Sequence, residues 1–263
     1  MTVPDLLPWR WAVGVGVAIL VGVAKTGVPG VGTLAVPLMV LAVGDARQSA
    51  GWLLPLLCVA DLFAVGIYRR RSYARRLFVL LPWVVAGMLA GALALFAPER
   101  VLRPMVAGIV LVMIGVRWWH TISETNVVAG GEADKAGGPG PTHAEPWTHS
   151  ALYGGAAGFS TTIANAAGPV MNLYLLAKRL PKEEFVGTGA WFFLVVNLCK
   201  LPVYAGHGLI TRASLAFDLF MVPAVVVGAG LGRALIRRLR QETFERVVFA
   251  LTILACALLF IPK

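Results

Sequence analysis

The feature that most constrains this chain is the segment 77–98, a run of 22 residues with no Asp, Glu, Lys or Arg. As an α-helix such a run is about 33 Å long, close to the roughly 30 Å hydrocarbon thickness of a bilayer. Similar apolar runs recur along the chain, and only 14% of all residues are charged, whereas soluble domains carry about a quarter. The sequence therefore predicts an all-α polytopic membrane protein.

The apolar segments fall into two sets of four, separated by a polar linker rich in glycine and proline. In each set the first segment is interrupted and the next three are continuous. In chain order we predict an interrupted segment at 9–43, spans at 50–68, 77–97 and 101–118, a flexible cytoplasmic linker at 120–148, a second interrupted segment at 149–178, and spans at 186–206, 214–234 and 244–261.

The two sets match each other at a nearly constant separation, which predicts an internal repeat. The first repeat covers 1–119 and the second covers 149–263. The matched pairs are Gly22 with Gly154, Pro37 with Pro169, Met39 with Met171, Trp52 with Trp191, Gly87 with Gly228, Gly91 with Gly232 and Arg103 with Arg246.

The distribution of basic residues orients the repeats. The loop 69–76 holds five arginines and is expected on the cytoplasmic side, whereas its counterpart 206–214 holds one. The bias is reversed between the arginine-rich loop 233–246 and its counterpart 98–103. The two repeats are therefore predicted to have inverted topology, with both interrupted segments entering the membrane as hairpins from opposite faces. Both termini are then expected outside.

The first interrupted segment carries a lysine at its break. The apolar arms 11–24 and 33–43 would each give a helix of about 20 Å or less, too short to cross a bilayer. A helix that ends within the membrane is tolerated where the break is buried in protein or lines an aqueous cavity. Lys25 beside such a break favours a binding site, because intramembrane charges are costly and usually line a pathway. The alternative is that Lys25 extends to an interface.

The two hairpin tips are predicted to meet near the midplane and to form an anion site. The returning arm of each hairpin directs the partial positive charge of its N-terminus at the centre. For each hydroxyl at the tips the alternative is a hydrogen bond to the carbonyl one turn earlier or to a neighbouring helix. The candidate substrate-binding residues are Lys25, Thr26, Gly27, Gly30, Gly32 and Thr33 in the first tip and Ser160, Thr161, Thr162 and Asn165 in the second.

Other polar residues lie within the predicted spans. Asp61 and Lys200 occupy matching positions in the two repeats and are candidates for a structural ion pair or for proton coupling. Lys200 and Asn197 are also candidates for lining the anion cavity. Asp218 lies nearer the end of its span and is interpreted as interfacial. The two G-x-x-x-G pairs serve close helix packing, with a homodimer contact as the second use.

Composition argues against several other classes of function. Cytoplasmic loops explain the net charge of +10, and no basic patch interleaved with aromatic residues indicates nucleic-acid binding. The three cysteines lie in apolar runs without C-x-x-C spacing and the four histidines are scattered, so we expect no metal site and no cofactor. Without a paired nucleophile and base, a membrane-embedded enzyme is a remote alternative.

The first tip reads G-x-x-K-x-G-x-x-G-x-G from Gly22 to Gly32, with Pro37 five residues later. This motif resembles the sulfite exporter TauE/SafE family, also called the toluene sulfonate uptake permease family. The second tip, 162–169, is similar to a variant found in part of that family. The resemblance implies a multi-pass protein of the bacterial inner membrane that moves sulfite, sulfonates, sulfoacetate or related anions. Many members have a glycine-rich second motif where this chain has polar residues.

The resulting hypothesis is a secondary transporter that exports a small sulfur-containing or organic anion. A monoanion that leaves a negative-inside cell gains about 2.3 kcal/mol per 100 mV, so export requires no coupling ion. The alternatives are an anion channel that uses the same site and a proton-coupled uptake permease, for which Asp61 would be the carboxylate.

Overall fold

The computed structural model describes residues 7–69, 74–94, 108, 111, 115, 147–164 and 167–259. Over this part of the chain the regular structure is helical and contains no strand. The predicted linker 120–148 and span 101–118 lie almost entirely outside the described residues, as do the loop 98–103 and Asn165. The helices are α1 (Pro8–Thr26), a 3-10 helix (Val31–Leu34), α2 (Ala35–Val43), α3 (Ala46–Tyr68), α4 (Ala74–Ala94), α5 (Trp147–Ala164), α6 (Ala167–Ala177), α7 (Lys182–Gly206), α8 (Arg212–Arg238) and α9 (Gln241–Leu259).

Several of these helices have the length and composition of membrane spans. Four described segments qualify, namely Pro8–Thr26, Gln48–Tyr68, Lys182–Gly206 and Arg212–Arg238. Shorter apolar helices accompany them at Val31–Val43, Val79–Gly91 and Ala167–Ala177. The described part of the chain is therefore all-helical and has the segments of a multi-pass membrane protein, as the apolar runs predict.

The expectation that both arms of the first interrupted segment are too short is wrong for the first arm. α1 has 19 residues and is about 28 Å long, because the helix begins at Pro8 and continues through Lys25 to Thr26. Proline suits the first turn of a helix, where its missing N–H loses no intrahelical bond. The second arm remains short, with nine residues in α2.

The chain packs as two compact units. The first comprises Met1–Leu77 and Arg179–Leu251, and the second comprises Phe78–Lys178 and Thr252–Lys263. Each unit combines segments from both predicted repeats. Within each unit, a helix of one repeat therefore packs on a helix of the other.

In the first unit α1 lies along α8, and the two helices run in the same direction. A Cβ at Gly22 would lie 2.7 Å from the Ala229 backbone nitrogen, and one at Gly27 would lie 2.6 Å from the Gly232 Cα. Both distances are shorter than any ordinary contact, so the two backbones approach this closely because neither glycine has a side chain. The Thr26 hydroxyl shares its hydrogen between the carbonyls of Gly22 (3.0 Å) and Ala229 (2.8 Å).

In the second unit α5 lies along α4 in the same manner. A Cβ at Gly158 would lie 2.9 Å from the Met88 backbone nitrogen, and one at Gly91 would lie 2.9 Å from the Thr162 Cβ. The Thr162 hydroxyl donates to the carbonyls of Gly158 (3.0 Å) and, more weakly, Met88 (3.4 Å). A threonine again connects a glycine of its own helix to the facing helix.

The two crossings correspond residue by residue and revise one predicted match. By their contacts Gly158, rather than Gly154, occupies the place of Gly22. The match shifts by one helical turn because Gly158 is closer to Pro169 along the chain than Gly22 is to Pro37. The corresponding pairs are Gly22 with Gly158, Thr26 with Thr162, Ala229 with Met88, Gly228 with Gly87 and Gly232 with Gly91.

An aromatic cluster lies between α1, α3 and α8 in the first unit. The Phe217 ring lies 5.2 Å, between centroids, from both Trp11 and Trp52. Val21 and Met39 are fully buried in the same core. Because lipid tails are as apolar as these side chains, close packing rather than transfer from water holds the helices together.

Candidate anion-binding site

The end of α1 places a lysine beside irregular backbone. α1 ends at Thr26, and the Gly27 amide donates to the Val23 carbonyl at 2.8 Å. Gly30 then adopts a φ of 103°, in the left-handed region that favours glycine. Lys25 therefore lies in the last turn of α1, where regular helix gives way to the loop.

Lys25 forms a buried ion pair with Asp61 of α3. The Lys25 Nζ lies 2.8 Å from the Asp61 Oδ1, and the aspartate side chain is completely buried while that of the lysine is 13% exposed. The Asn197 amide of α7 donates to the other carboxylate oxygen, Oδ2, at 2.8 Å. The ammonium also lies 4.2 Å from the centroid of the Phe193 ring, within range of cation–π attraction. The lysine thus has both a carboxylate and an aromatic face as neighbours.

A second lysine lies near this pair. Lys200 follows Asn197 by about one turn of α7 and is 5% exposed. It interacts electrostatically with Lys25, and the Cys58 thiol interacts with both lysines and with Asp61. We call Lys25, Asp61, Asn197 and Lys200 the lysine cluster. It brings two lysines, one carboxylate and one amide together in the interior of the first unit.

The hydroxyl groups of the first tip bond to backbone carbonyls. The Thr26 hydroxyl bonds to α1 and α8 as described above, and the Thr33 hydroxyl donates to the Gly30 carbonyl at 2.7 Å. The Tyr68 hydroxyl, at the end of α3, donates to the Thr26 carbonyl at 2.7 Å. At Gly32 a Cβ would lie 3.1 Å from the Ala24 Cβ. These bonds hold the tip in place, which is the alternative role considered for the hydroxyls.

The second tip belongs to the second unit. The Ser160 hydroxyl donates to the Ala156 carbonyl one turn earlier at 2.6 Å, and Thr162 bonds in the α4–α5 crossing. Thr161 is buried, and Asn165 lies outside the described residues. The approach of the two tips to each other stays a prediction.

A family model of the sulfite exporter TauE/SafE matches residues 14–259. The chain belongs to the TauE/SafE family. The match covers both predicted repeats and confirms the resemblance in the first tip, so the chain is a transmembrane protein of a transporter family. Neither the curated proteins nor the solved structures include a significant match.

The TauE/SafE tip motif marks Lys25 but does not reveal its partner. The repeat match relates Asp61 to Lys200, whereas the described ion pair of Asp61 is with Lys25. Helical periodicity does not relate residues on α1 and α3, because their contact arises only in the folded structure. The signal in the sequence was electrostatic: a buried carboxylate requires a buried cation, and two lysines met that condition.

Asp218, predicted near the end of its span, lies in the second turn of α8 and is buried in this TauE/SafE protein. Its side chain is 4% exposed, and neither carboxylate oxygen has a hydrogen-bond partner among the described residues. The reason lies in the preceding residue, because Phe217 packs against Trp11 and Trp52 and holds this part of α8 in the core.

A cavity of about 550 Å³ lies at one end of the first unit. Asp45 and Gln48 line it near the start of α3, and His207 and Thr211 line it from the α7–α8 connection. Trp52 also lines the cavity and contacts the Phe217 ring. The cavity therefore ends at the aromatic cluster that precedes Asp218.

The polar groups of this TauE/SafE chain do not form a metal centre in the part that the structure describes. No group of three or more His, Cys, Asp or Glu side chains there is arranged to hold a metal ion.

Proposed function

We propose that this protein is a secondary transporter that exports a small sulfur-containing or organic anion, such as sulfite, sulfoacetate or a sulfonate, and that the lysine cluster is part of its binding site. The observation that carries the proposal is the buried Lys25–Asp61 ion pair at the end of α1, with a second buried lysine, Lys200, in the same cluster. Family membership supplies the class of substrate. It is a transporter rather than an enzyme.

The cost of burying charge supports a role in binding. An ion taken into a protein interior loses several kcal/mol of hydration, and a partner must compensate for that loss. Asp61 compensates Lys25, and Asn197 donates a hydrogen bond to Asp61. A substrate oxyanion could replace the Asp61 carboxylate at Lys25 and compensate the same cation.

The Lys25–Asp61 pair supports a cycle in which Lys25 alternates between two partners, Asp61 and the substrate. In the absence of substrate the Asp61 carboxylate occupies the position at Lys25 that an oxyanion would take. The substrate then competes with an internal carboxylate, which keeps the empty site from holding an uncompensated charge. The backbone of Gly27, Gly30 and Gly32 is proposed to complete the first side of the site, and the Thr26 and Thr33 hydroxyls support it by holding the tip through their bonds to carbonyls.

The second tip is proposed to complete the site, through Ser160, Thr161, Thr162 and Asn165. This requires the inverted repeat, with the interrupted segments entering from opposite faces. The proposal is supported by the two crossings, in which a helix of each repeat packs on the other through the same glycine and threonine pattern. Each crossing pairs a first segment with a later span of the other repeat, as a two-fold relation between the repeats requires.

Orientation and direction belong to the same proposal. We place the protein in the bacterial inner membrane with both termini outside, from the arginine distribution of the loops. Outward movement of a monoanion is then favoured by about 2.3 kcal/mol per 100 mV of negative-inside potential. A channel with the same cluster would conduct in this direction as well, so saturation and stimulation by anion on the opposite side distinguish a carrier.

The test is flux of radiolabelled sulfite in proteoliposomes, repeated with thiosulfate, sulfoacetate, sulfate and small carboxylates. Lys25→Ala should abolish flux of the transported anion. Because this variant leaves Asp61 buried without its cation, a second variant, Lys25→Met with Asp61→Asn, removes both charges and should fold while still failing to transport. Arg233→Ala, which removes an exposed cation from α8, is the matched control and should transport normally. Undiminished flux in the double variant would refute the role of the cluster.

A further inference from the structure

One face of α7 contacts both members of the Lys25–Asp61 ion pair. Phe193 and Asn197 are four residues apart on this helix, so their side chains lie on the same face, and α7 packs against α1 and α3. The centroid of the Phe193 ring lies 4.2 Å from the Lys25 Nζ, and the Asn197 amide donates to the Asp61 Oδ2 at 2.8 Å. α7 therefore stabilises the lysine and the aspartate through separate contacts.

The hydrogen bond from Asn197 fixes the orientation of the Asp61 carboxylate. An ionised carboxylate only accepts hydrogen bonds, so the Asn197 Nδ2 is the donor, and both side chains are buried. The bond occupies Oδ2, while Oδ1 lies 2.8 Å from the Lys25 Nζ. Because α1 and α7 each hold one oxygen, the carboxylate cannot turn away from the lysine without also straining its bond to the amide. Asn197 thus holds Asp61 in the position where it pairs with Lys25.

This hydrogen bond bears on substrate binding because Asp61 and the anion compete for Lys25 in the proposed function. A contact that is made in the empty state and lost in the bound state favours the empty state and lowers the apparent affinity for the ligand. A hydrogen bond to a charged group is strong enough to change an affinity about tenfold. A direct hydrogen bond from Asn197 to the anion would have the opposite effect and raise the affinity. The direction of the change therefore distinguishes the two roles.

We propose that Asn197 is a positioning residue that lowers the affinity of the site for its anion by holding the Asp61 carboxylate on Lys25. This rests on the proposed transport function. Asn197 donates to the carboxylate in the empty site, and the anion binds Lys25 without a hydrogen bond from this amide. A transported ion must be bound weakly enough to leave on the far side of the membrane. Asn197 promotes that release, because it favours the return of Asp61 to the lysine.

The test is the dissociation constant of sulfite for the purified protein in detergent, measured by isothermal titration calorimetry. Asn197→Leu keeps a side chain of similar size without the donor and should bind sulfite about tenfold more tightly than the wild-type protein. Asn197→Ala removes the same donor with a smaller side chain, should change the affinity in the same direction, and decides the matter if the leucine variant does not fold.

A buried asparagine outside the ion pair provides the matched control. The Asn172 amide donates to the Thr252 hydroxyl at 3.3 Å, and Asn172 is 3% exposed. Asn172→Leu also removes a buried amide donor, but its partner is a neutral hydroxyl group in the second unit. This variant should bind sulfite with the wild-type dissociation constant.

A second measurement separates action through Asp61 from a general effect on the fold. In Asp61→Asn the charged competitor is absent, so the further change Asn197→Leu should alter the dissociation constant less than about twofold. A tenfold gain in affinity that persists in this background would overturn the role of Asn197 in holding the carboxylate.

The remaining outcomes are equally decisive. Weaker sulfite binding by the Asn197 variants would identify Asn197 as a ligand of the anion, which overturns the positioning role and leaves the proposed function intact. Unchanged binding would also overturn the positioning role. Absence of sulfite binding by the wild-type protein would overturn instead the proposed function for sulfite, on which the inference rests.

Discussion

At the scale of single residues, the chemistry of this protein depends on a lysine whose charge is already matched. Lys25 is held by Asp61 and by the Phe193 ring, and Asp61 is held in turn by Asn197. A site of this kind does not attract an anion through Lys25 alone. Its affinity depends on how much more strongly the lysine binds the substrate than it binds its own carboxylate.

Replacement of Asp61 by asparagine separates these two contributions. Asp61→Asn leaves Lys25 buried without its carboxylate, which in buried pairs costs about 3–5 kcal/mol, so the unliganded protein should unfold at a lower temperature. Added sulfite would then supply the missing charge. We expect sulfite to raise the unfolding temperature of Asp61→Asn more than that of the wild-type protein, measured by thermal unfolding in detergent. Chloride at equal ionic strength is the control, and a smaller rise in the variant than in the wild type would contradict competition for Lys25.

At the scale of elements, the two glycine crossings determine how the helices are placed. α1 and α8 touch along their backbones at Gly22 and Gly27, and α4 and α5 touch in the same way at Gly158. The contact positions Lys25, because this lysine lies between Gly22 of α1 and Gly27, the residue that follows α1. The position of the candidate site is thus set by small residues that have no chemistry of their own.

A methyl group at the centre of the crossing should disturb this arrangement. In Gly22→Ala the new Cβ would meet the backbone of α8, so α1 must move and we expect a loss of about 1–3 kcal/mol in the free energy of unfolding. Gly16→Ala, on the same helix, has no atom within 4 Å of the new Cβ and should be neutral or slightly stabilising. Unfolding of the two purified variants in the same detergent gives the comparison, and equal stability would show that the crossing is not tightly packed in solution.

The helices were predictable from the sequence, and their contacts were less so. Apolar runs located most spans because the bilayer demands about 20 apolar residues in a helix. The apolar run 11–24 predicts too short a first arm, because the helix also includes Pro8 at its start and Lys25 and Thr26 at its end. The ion pair could not be assigned, since it depends on which face of α3 meets α1. The burial of Asp218 likewise depends on the packing of its neighbour Phe217.

At the scale of the whole molecule, each compact unit is built from both predicted repeats. Neither repeat therefore contains all the residues of one unit. The lysine cluster is an example, because Lys25 and Asp61 belong to the first half of the chain and Asn197 and Lys200 to the second. A site made in this way joins the two halves, as the inverted-repeat proposal expects.

The inverted orientation predicts which exposed positions face each side of the membrane. In a chain whose own cysteines are replaced by alanine, His207→Cys should react with a membrane-impermeant maleimide in intact cells. Arg69→Cys and Arg240→Cys should react only after the cells are permeabilised, because their loops are predicted to be cytoplasmic. All three side chains are exposed, so differences in labelling report the side of the membrane. Labelling of Arg69→Cys and His207→Cys from the same side would refute the inversion.

The backbone contact between α1 and α8 has a mechanical consequence for any transport cycle. Because the backbones of α1 and α8 are in contact at Gly22, Gly27 and Gly232, the two helices cannot slide past each other and would move together as a rigid pair. Lys25 belongs to that pair, whereas Asp61 belongs to α3. A displacement of the pair relative to α3 would lengthen or break the Lys25–Asp61 ion pair, which would then open and re-form in each transport cycle.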